Sequence, residues 1–320
     1  NKECTEVLLE ARVLPADADD KEVIWKVVND NGIDIPYAKI VPLGMEDGVS
    51  KAKVTALGDG DFQVRCLSKS GTDKVRLISQ MNFKAEGMGQ AFVSPYEFLS
   101  AGLYNRAIGD ISNGNEKGIA TDRAGVSAVV FENLDFGEYG SDEITIPVFA
   151  LDNDLHNIEL WLGVPGEAGS ELLHVLPYQK PSIWNVYQEE TWKLPKRIKG
   201  VVILSLQLYE KVHIKGFAFK KYEKAFSLLN AAECSKVYGD TFTVEEEAIV
   251  GIGNNVTVVF DNMDFGEQGA RGISLTGRSK LAGNTIHILF TPKDGEPVRR
   301  VLEVKGISEY EAQEFTFESL

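Results

Sequence analysis

The sequence predicts an all-β protein built from several sandwich domains. Three observations support this: the chain of 320 residues is longer than one hydrophobic core usually serves, apolar and polar residues alternate in many short segments, and one block of residues occurs twice. Hydrophobic residues make up 43% of the chain and charged residues 25%, which are ordinary values for globular domains. We therefore expect two or three domains.

The first predicted domain, residues 1–85, has its own alternating pattern. Apolar residues recur at every second position in segments centred on residues 7–13, 23–27, 52–56, 62–66 and 75–77. Trp25 in an early strand and Cys66 in a later one are typical of an immunoglobulin-like sandwich, of which only one cysteine of the usual pair is present. We expect no disulfide in this domain.

The remaining chain contains an internal repeat. The block VVFENLDFGEYG at residues 129–140 returns as VVFDNMDFGEQG at residues 258–269, an offset of 258 − 129 = 129 positions. Nine of the twelve positions are identical and two more are conservative. Such a match predicts two copies of one module, which we place at residues 86–224 and 225–320.

Period-2 segments follow the repeated block in both copies and predict strands. They lie at residues 143–148 and 158–161 in the first copy and at residues 273–276 and 286–290 in the second. Short runs of Asp, Asn, Gly and Pro separate them, a rhythm typical of a β-sandwich.

The second copy ends before the first does in the alignment. The segment at residues 187–192 matches residues 310–315, but the strands predicted at residues 201–208 and 212–219 have no counterpart before Leu320. We expect either that the natural chain continues past Leu320 or that the last module has an open sheet edge, which favours aggregation. Asn1 in place of an initiator Met likewise predicts a fragment or a processed chain.

Charge and residue usage exclude several classes of function. Lys and Arg number 33 against 48 Asp and Glu, so the net charge is 33 − 48 = −15, which repels nucleic acids and anionic membrane surfaces. No apolar run approaches the ~18 residues of a membrane span. Cysteines stand alone at Cys4, Cys66 and Cys234, and the four histidines lack the spacing of a zinc site.

Several motifs together resemble a known family. The block at residues 129–140, IELW at 158–161, PSIWNVY at 181–187 and VHIKGF at 212–217 resemble the galactose-binding-like jelly rolls of carbohydrate-binding module family 6. With GDFQVRC at residues 60–66 in the preceding domain, the arrangement resembles the C-terminal accessory region of a bacterial glycoside hydrolase of family 2, of the β-galactosidase type. The resemblance implies an immunoglobulin-like sandwich followed by two jelly rolls, with the catalytic barrel upstream.

The resemblance also implies sugar-contacting residues in the first copy. The aromatic platform of the family matches Trp184, Tyr187 follows it, and the Asn of the last strand is replaced by His213. Trp184 could instead pack at the sandwich edge, and His213 could be a solvated residue at a strand end. Lys215 stands where the family has an acid, and residues 118–122 carry no second aromatic ring.

The second copy and the metal sites are expected to contribute little. Ile307 stands at the position of Trp184, and the loop at residues 251–255 has no ring, so we expect no sugar binding there. The resemblance implies a structural calcium held by Glu97 in the first copy and by Glu233 in the second, while plain surface glutamates are the alternative.

We therefore expect a non-catalytic accessory region that binds a galactoside or polysaccharide of plant or host origin. Its partners would be carbohydrate and the upstream catalytic domains of a family 2 glycoside hydrolase, without nucleic acid or membrane, and the chain alone would be inactive. The alternative is a structural spacer or subunit-packing region that binds no ligand. The sequence leaves open the compartment of this bacterial protein.

Overall fold

The computed structural model describes residues 5–72, 75–267 and 269–318. The prediction of an all-β protein is confirmed, because strands alternate with turns and only four short 3₁₀ helices occur in these ranges. The chain divides into two compact units, residues 1–222 and 223–320. Cys4 lies outside the described residues, and no helix within them is long and apolar enough to cross a membrane.

The N-terminal part of the first unit is a sandwich of two three-stranded antiparallel sheets. One sheet has the order β1-β4-β3 and the other β2-β5-β6. Their inner faces enclose a small core that includes Leu9, Val54 and Phe62. The strands are β1 (Glu6–Arg12), β2 (Val23–Val28), β3 (Ala38–Glu46), β4 (Val49–Ala56), β5 (Gly60–Gly71) and β6 (Arg76–Ala85).

This strand order is the order of an immunoglobulin constant-type sandwich without its first strand. Such a fold, with strands A to G, has one sheet A-B-E-D and another C-F-G, and β1 to β6 take the places of B to G. Trp25 and Cys66 lie opposite each other on β2 and β5, and the Cys66 thiol is free. The sequence analysis missed β3, because Pro42 and Gly44 interrupt it and most of its side chains are exposed.

The second part of the first unit is an antiparallel sandwich of the jelly-roll class. One sheet has the order β14-β13-β16-β11-β8; in the other, β12 lies between β15 and the consecutive strands β17 and β18. The strands are β7 (Leu99–Ser100), β8 (Arg106–Ile108), β9 (Ile111–Asn113), β10 (Ile119–Thr121), β11 (Ser127–Asp135), β12 (Ser141–Ala150), β13 (His156–Leu162), β14 (Glu171–Tyr178), β15 (Gln188–Ile198), β16 (Val201–Leu208), β17 (Val212–Ile214) and β18 (Gly216–Phe219), with 3₁₀ helices at Ala101–Leu103 and Asn115–Lys117.

The jelly-roll core forms because alternate residues of each strand point inward. On β12 the inward residues are Ile144, Ile146 and Val148, all fully buried. Phe131 of β11 meets Phe217 of β18 edge to face, with ring centroids 4.9 Å apart. Large side chains thus close the space between the two sheets.

The second unit consists of antiparallel pairs of strands. The pairs are β19 with β22, β20 with β21, β23 with β26, and β24 with β25. The strands are β19 (Lys236–Tyr238), β20 (Thr243–Val244), β21 (Ile249–Val250), β22 (Thr257–Val259), β23 (Gly272–Ser279), β24 (Asn284–Phe290), β25 (Val298–Val304) and β26 (Ile307–Thr316), with 3₁₀ helices at Lys224–Phe226 and Ala231–Glu233.

The repeat seen in the sequence has the same backbone conformation in both units. Asn133 and Asn262, 129 positions apart, both have φ of 57°. The amide of Gly137 donates to Asp135 Oδ1 over 2.8 Å, and that of Gly266 donates to Asp264 Oδ1 over 2.9 Å. The repeated block therefore specifies one and the same corner.

Strand register is repeated as well. Ile144 of β12 lies opposite Trp192 of β15, and Ile273 of β23 lies opposite Phe315 of β26. The sequence alignment predicts this correspondence, because Ile273 lies 129 positions after Ile144 and Phe315 aligns with Trp192. The division into domains at residues 85 and 224 stays a prediction, since residues 1–222 form one unit that contains two separate buried clusters.

The described residues of the second unit include no strand in the position of β16. In the first unit β16 lies between β11 and β13 and pairs with both. Among the described residues of the second unit, β22 pairs only with β19 and β24 only with β25. The described hydrophobic residues that are buried there are few, namely Ile249, Ala270 and Leu302.

Candidate functional site

An aromatic cluster lies on the outer face of the sheet that contains β12. Phe149 points outward from β12, opposite in phase to the core residues, yet it is only 2% exposed. It is covered by Trp184, Tyr187 and His213, whose ring centroids lie 5.9, 6.3 and 5.0 Å from its own. We call these four residues the ring cluster. The structure thus brings together all three sugar-contacting residues that the sequence predicts.

Trp184 is the exposed member of the ring cluster. Its side chain is 81% exposed and meets the Phe149 ring at an interplanar angle of 90°. The two rings therefore meet edge to face, and most of the indole surface stays open to solvent. The alternative in which Trp184 packs into the sandwich edge does not fit this exposure.

A tight turn between β14 and β15 carries Trp184. The amide of Val186 donates to the carbonyl of Ile183 over 3.1 Å, and Asn185 takes the left-handed conformation with φ of 60°. Asn tolerates this region better than most residues. The amide of Ser182 donates to Asn153 Oδ1 over 2.7 Å, which ties the turn to the loop that follows β12.

Tyr187 contributes its ring to the cluster, while its hydroxyl is engaged elsewhere. The hydroxyl donates to the backbone carbonyl of Asn115 over 2.9 Å. Burial, together with the negative charge of Glu116, raises the pKa of Tyr187 to about 12. The phenol therefore stays protonated at neutral pH and keeps this hydrogen bond.

His213 lies at the base of the cluster, in the middle of β17. It faces Phe149 on one side and Ala120 of β10 on the other. Burial lowers the pKa of His213, and the positive charge of Lys211 lowers it further, so the ring is neutral at pH 7. Its Nδ1 atom is buried without a hydrogen-bond partner among the described residues. His213 is therefore partly buried within a short strand, and its contact with a sugar stays a prediction.

Polar groups surround the rings. The Asn115 side-chain amide donates to Asn185 Oδ1, and Lys215 forms an ion pair of 2.6 Å with Glu116. The lysine that stands in place of an acid therefore has a carboxylate beside it. Residues 118–122 carry no ring, and β10 within them is fully buried, so the cluster presents a single exposed aromatic platform.

An exposed aromatic face with amide and carboxylate groups around it has the chemistry of a sugar-binding surface. A pyranose ring presents C–H bonds on one face, which pack against an indole, and hydroxyls at its edge, which hydrogen-bond to polar side chains.

The equivalent surface in the second unit is different. Arg278 stands at the position of Phe149, Tyr310 at that of Tyr187 and Ile307 at that of Trp184. The Arg278 guanidinium lies 4.7 Å from the Tyr310 ring centroid, so a cation–π pair replaces the aromatic cluster. This unit has no exposed indole.

Neither glutamate considered for calcium belongs to a cluster of acidic, histidine or cysteine side chains among the described residues. Glu97 is exposed in a bend before β7, and Glu233 Oε2 accepts the amide of Asn230 over 3.1 Å in a capping box. Within residues 5–72, 75–267 and 269–318, no group of three or more His, Cys, Asp or Glu side chains could hold an ion. Calcium binding stays an untested expectation.

Phe149 is the site residue that the sequence analysis missed. The signal was available, because Phe149 is a large apolar residue in the outward phase of a strand whose inward phase is already apolar. Asn115 was also missed, and it lies 72 positions from its hydrogen-bond donor Tyr187, a distance that local patterns do not reveal.

Fold and site together define an all-β protein with a jelly roll that displays an aromatic cluster. No protein-family model and no curated protein matches the sequence. Among solved structures, the chain is similar to CsCBM6-3 from Clostridium stercorarium in complex with cellobiose, at 21% identity and a TM-score of 0.35, over 41% of this chain and 98% of that one.

Two further solved structures are similar over the same share of the chain. One is a family 6 carbohydrate-binding module from Clostridium cellulolyticum in complex with xylose, at 20% identity and a TM-score of 0.34, over 40% of this chain and 99% of that one. The other is a β-1,3-glucan binding CBM6 from Bacillus halodurans, at 21% identity and a TM-score of 0.33, over 41% of this chain and 99% of that one.

Proposed function

We propose that the jelly roll of the first unit is a non-catalytic carbohydrate-binding module whose site is the ring cluster. The observation that carries the proposal is Trp184, 81% exposed and supported from below by the buried Phe149 ring. A ligand that covers a large exposed apolar ring removes that surface from water, which favours binding. A fixed indole face among polar groups fits the apolar face of a sugar.

Each member of the cluster has a distinct role in this proposal. Trp184 stacks on the sugar ring, Tyr187 forms a side wall through its ring, and neutral His213 offers Nδ1 to a sugar hydroxyl after a small movement of the ring. The buried Nδ1 atom without a partner supports the last role, because such an atom gains a hydrogen bond when a ligand supplies one.

We further propose that the chain is the accessory region of a family 2 glycoside hydrolase of the β-galactosidase type. The B-to-G strand order of residues 6–85, placed before the jelly roll, supports an immunoglobulin-like domain in this position. The catalytic domains of the same parent chain would then be its partners. This chain alone should not hydrolyse a nitrophenyl galactoside, and turnover that co-purifies with it and is lost in a site variant would contradict the proposal.

For the second unit we propose a spacer role. The Arg278–Tyr310 pair and Ile307 occupy the places of the aromatic cluster, so a sugar would find no platform there. The two proposals together predict one binding site per chain.

Affinity electrophoresis and calorimetry with the Trp184→Ala variant test the binding proposal. Suitable ligands are galactosides, cellobiose, xylose and β-1,3-glucan, the last three being named for the similar modules. We expect retardation by at least one glycan and a loss of about tenfold or more in affinity for the variant, equivalent to about 1.4 kcal/mol.

The matched control is Tyr238→Ala, which removes an aromatic side chain that is 57% exposed in the second unit. It should leave affinity unchanged. Absence of retardation by every glycan, or equal retardation of the Trp184→Ala variant and the wild type, would refute the proposal.

A further inference from the structure

His156 is a buried histidine held between two carboxylates, outside the ring cluster. It begins β13, and its side chain is only 4% exposed. Its Nδ1 lies 2.6 Å from Glu210 Oε2 and its Nε2 lies 2.9 Å from Asp152 Oδ1. Both carboxylates lie in turns. Both can accept a hydrogen bond from the imidazole at the same time only when Nδ1 and Nε2 each carry a proton.

The Asp152 turn supports the platform side of the site. This turn, residues 151–155, follows β12 directly after Phe149 and Ala150. The adjacent Asn153 accepts the amide of Ser182 through Oδ1 over 2.7 Å. The Ser182 hydroxyl donates to the Ala150 carbonyl over 2.8 Å. Through these bonds the position of the Asp152 turn sets the position of the turn that carries Trp184.

The Glu210 turn supports the opposite side of the site. Thr121 Oγ1 donates to the Glu210 carbonyl over 2.6 Å and accepts the amide of Val212 over 2.8 Å. Val212 begins β17 and precedes His213. The position of the Glu210 turn therefore sets where β17 begins and where the His213 ring stands.

We propose that His156 is a positioning residue that joins these two turns and thereby fixes the Trp184 platform relative to the His213 ring. The proposal rests on the proposed sugar-binding function for its consequence, but its geometry is independent of any ligand. At the offset of 129, Leu281 and Thr285 stand in place of Asp152 and His156 in the second unit. That unit forms the β24–β25 hairpin without such a link and also lacks the ring cluster.

This comparison separates positioning from folding. The β24–β25 hairpin of the second unit forms with Leu281 and Thr285 at these positions, so a hairpin of this kind does not require the link. It is found only in the copy that displays an exposed Trp. Asp152 and Glu210 have side chains that are 53% and 57% exposed, so their removal should leave the core intact.

The test is nuclear magnetic resonance of the full chain with variants at the link. The four Trp residues give four indole N–H signals, and the His213 ring gives its own signals. We expect Asp152→Ala to move the Trp184 signal, Glu210→Ala to move the His213 signals, and His156→Gln to move both. The signals of Trp25 and Trp192 should stay in place in all three variants.

Conservative variants and a second histidine provide the controls. Asp152→Asn keeps an oxygen that accepts from His156 and should restore the wild-type Trp184 signal. His174→Gln changes a histidine on the neighbouring strand β14 and should move neither site signal. If His156→Gln fails to fold, the two alanine variants at the exposed carboxylates decide the question.

Sugar affinity distinguishes this inference from the proposed function. Affinity should fall about threefold to tenfold in Asp152→Ala and recover in Asp152→Asn. Site signals that stay unmoved in Asp152→Ala and Glu210→Ala would overturn the positioning role, as would equal movement of all four Trp signals. If the signals move as expected while the wild type binds no glycan, the link stands and the proposed function falls.

Discussion

The repeated block forms the same backbone corner in both units, but the two units differ in how many apolar side chains they bury. In the first unit the corner at Asn133 leads into a sandwich with both sheets complete, and Phe131 beside it is buried against Phe217. In the second unit Asn262 has the same φ, yet the strands form separate pairs and Phe260 is only half-buried. The difference teaches that the block specifies local geometry, whereas burial depends on strands supplied from elsewhere in the chain.

The largest expected contrast is in the paired Phe variants. Phe131→Ala should lower the free energy of unfolding of the first unit by about 3–5 kcal/mol, because it empties a closed core. Phe260→Ala should cost about 1 kcal/mol, since its surroundings are already partly solvated. Trp fluorescence reports the first unit alone, because all four Trp residues lie in residues 1–222, and hydrogen exchange reports the second. Equal losses of unfolding free energy in the two units would contradict the inferred difference in core packing.

The paired Asn variants should behave alike. Asn133→Ala and Asn262→Ala should each cost about 1–2 kcal/mol, because Ala is strained in the left-handed region. The corresponding Gly variants should be close to neutral, since Gly adopts this region freely. Denaturant titration followed by hydrogen exchange in each unit checks this. A cost confined to the first unit would show that the corner depends on the core.

The paired Tyr variants compare the ring cluster with the equivalent surface of the second unit. Tyr187→Phe should destabilise the first unit by about 1 kcal/mol, because it leaves the Asn115 carbonyl without its donor. Tyr310→Phe should have almost no effect, since Tyr310 is 50% exposed and keeps its ring against Arg278. Thermal unfolding monitored in both units measures the pair. A comparable loss for Tyr310→Phe would contradict the assigned difference.

The smallest expected effect is a pH dependence limited to the first unit. The pKa of His213 is lowered in the folded state, so below its ordinary value of about 6.5 the unfolded chain takes up a proton first. Stability from this residue is therefore complete above that pH and declines as pH falls. His213→Asn should remove this decline, which unfolding curves at neutral and acidic pH will show. An unchanged decline in the variant would assign it to other groups.

Much of the fold could be predicted because its signals are local. Alternation located β12, β13, β23 and β24, and the offset of 129 predicted two copies of one module. Strand β3 escaped because Pro42 and Gly44 break its pattern and its outward side chains are polar or exposed. A strand without a buried face has no period to detect.

The candidate site was predicted only in part, for a physical reason. Trp184, Tyr187 and His213 were identified through family resemblance, while Phe149, which they surround, was not. The link from His156 to Glu210 spans 54 positions and depends on how two turns meet at one end of the sandwich. Contacts between such distant turns depend on strand register and packing, which the pattern of a single sequence does not encode.

The conformation of Asn185 has a thermodynamic consequence for recognition. Its left-handed backbone, with φ of 60°, closes the turn on Ile183 and Val186 and so fixes the backbone that carries the indole, which in the proposed function orders the platform before a ligand binds. A preorganised platform loses little conformational entropy on association. Replacing Asn185 with Gly would remove the hydrogen bond that the Asn115 side-chain amide donates to Asn185 Oδ1 and would loosen the turn, so sugar affinity at the proposed site should fall, with part of the loss appearing as a less favourable binding entropy.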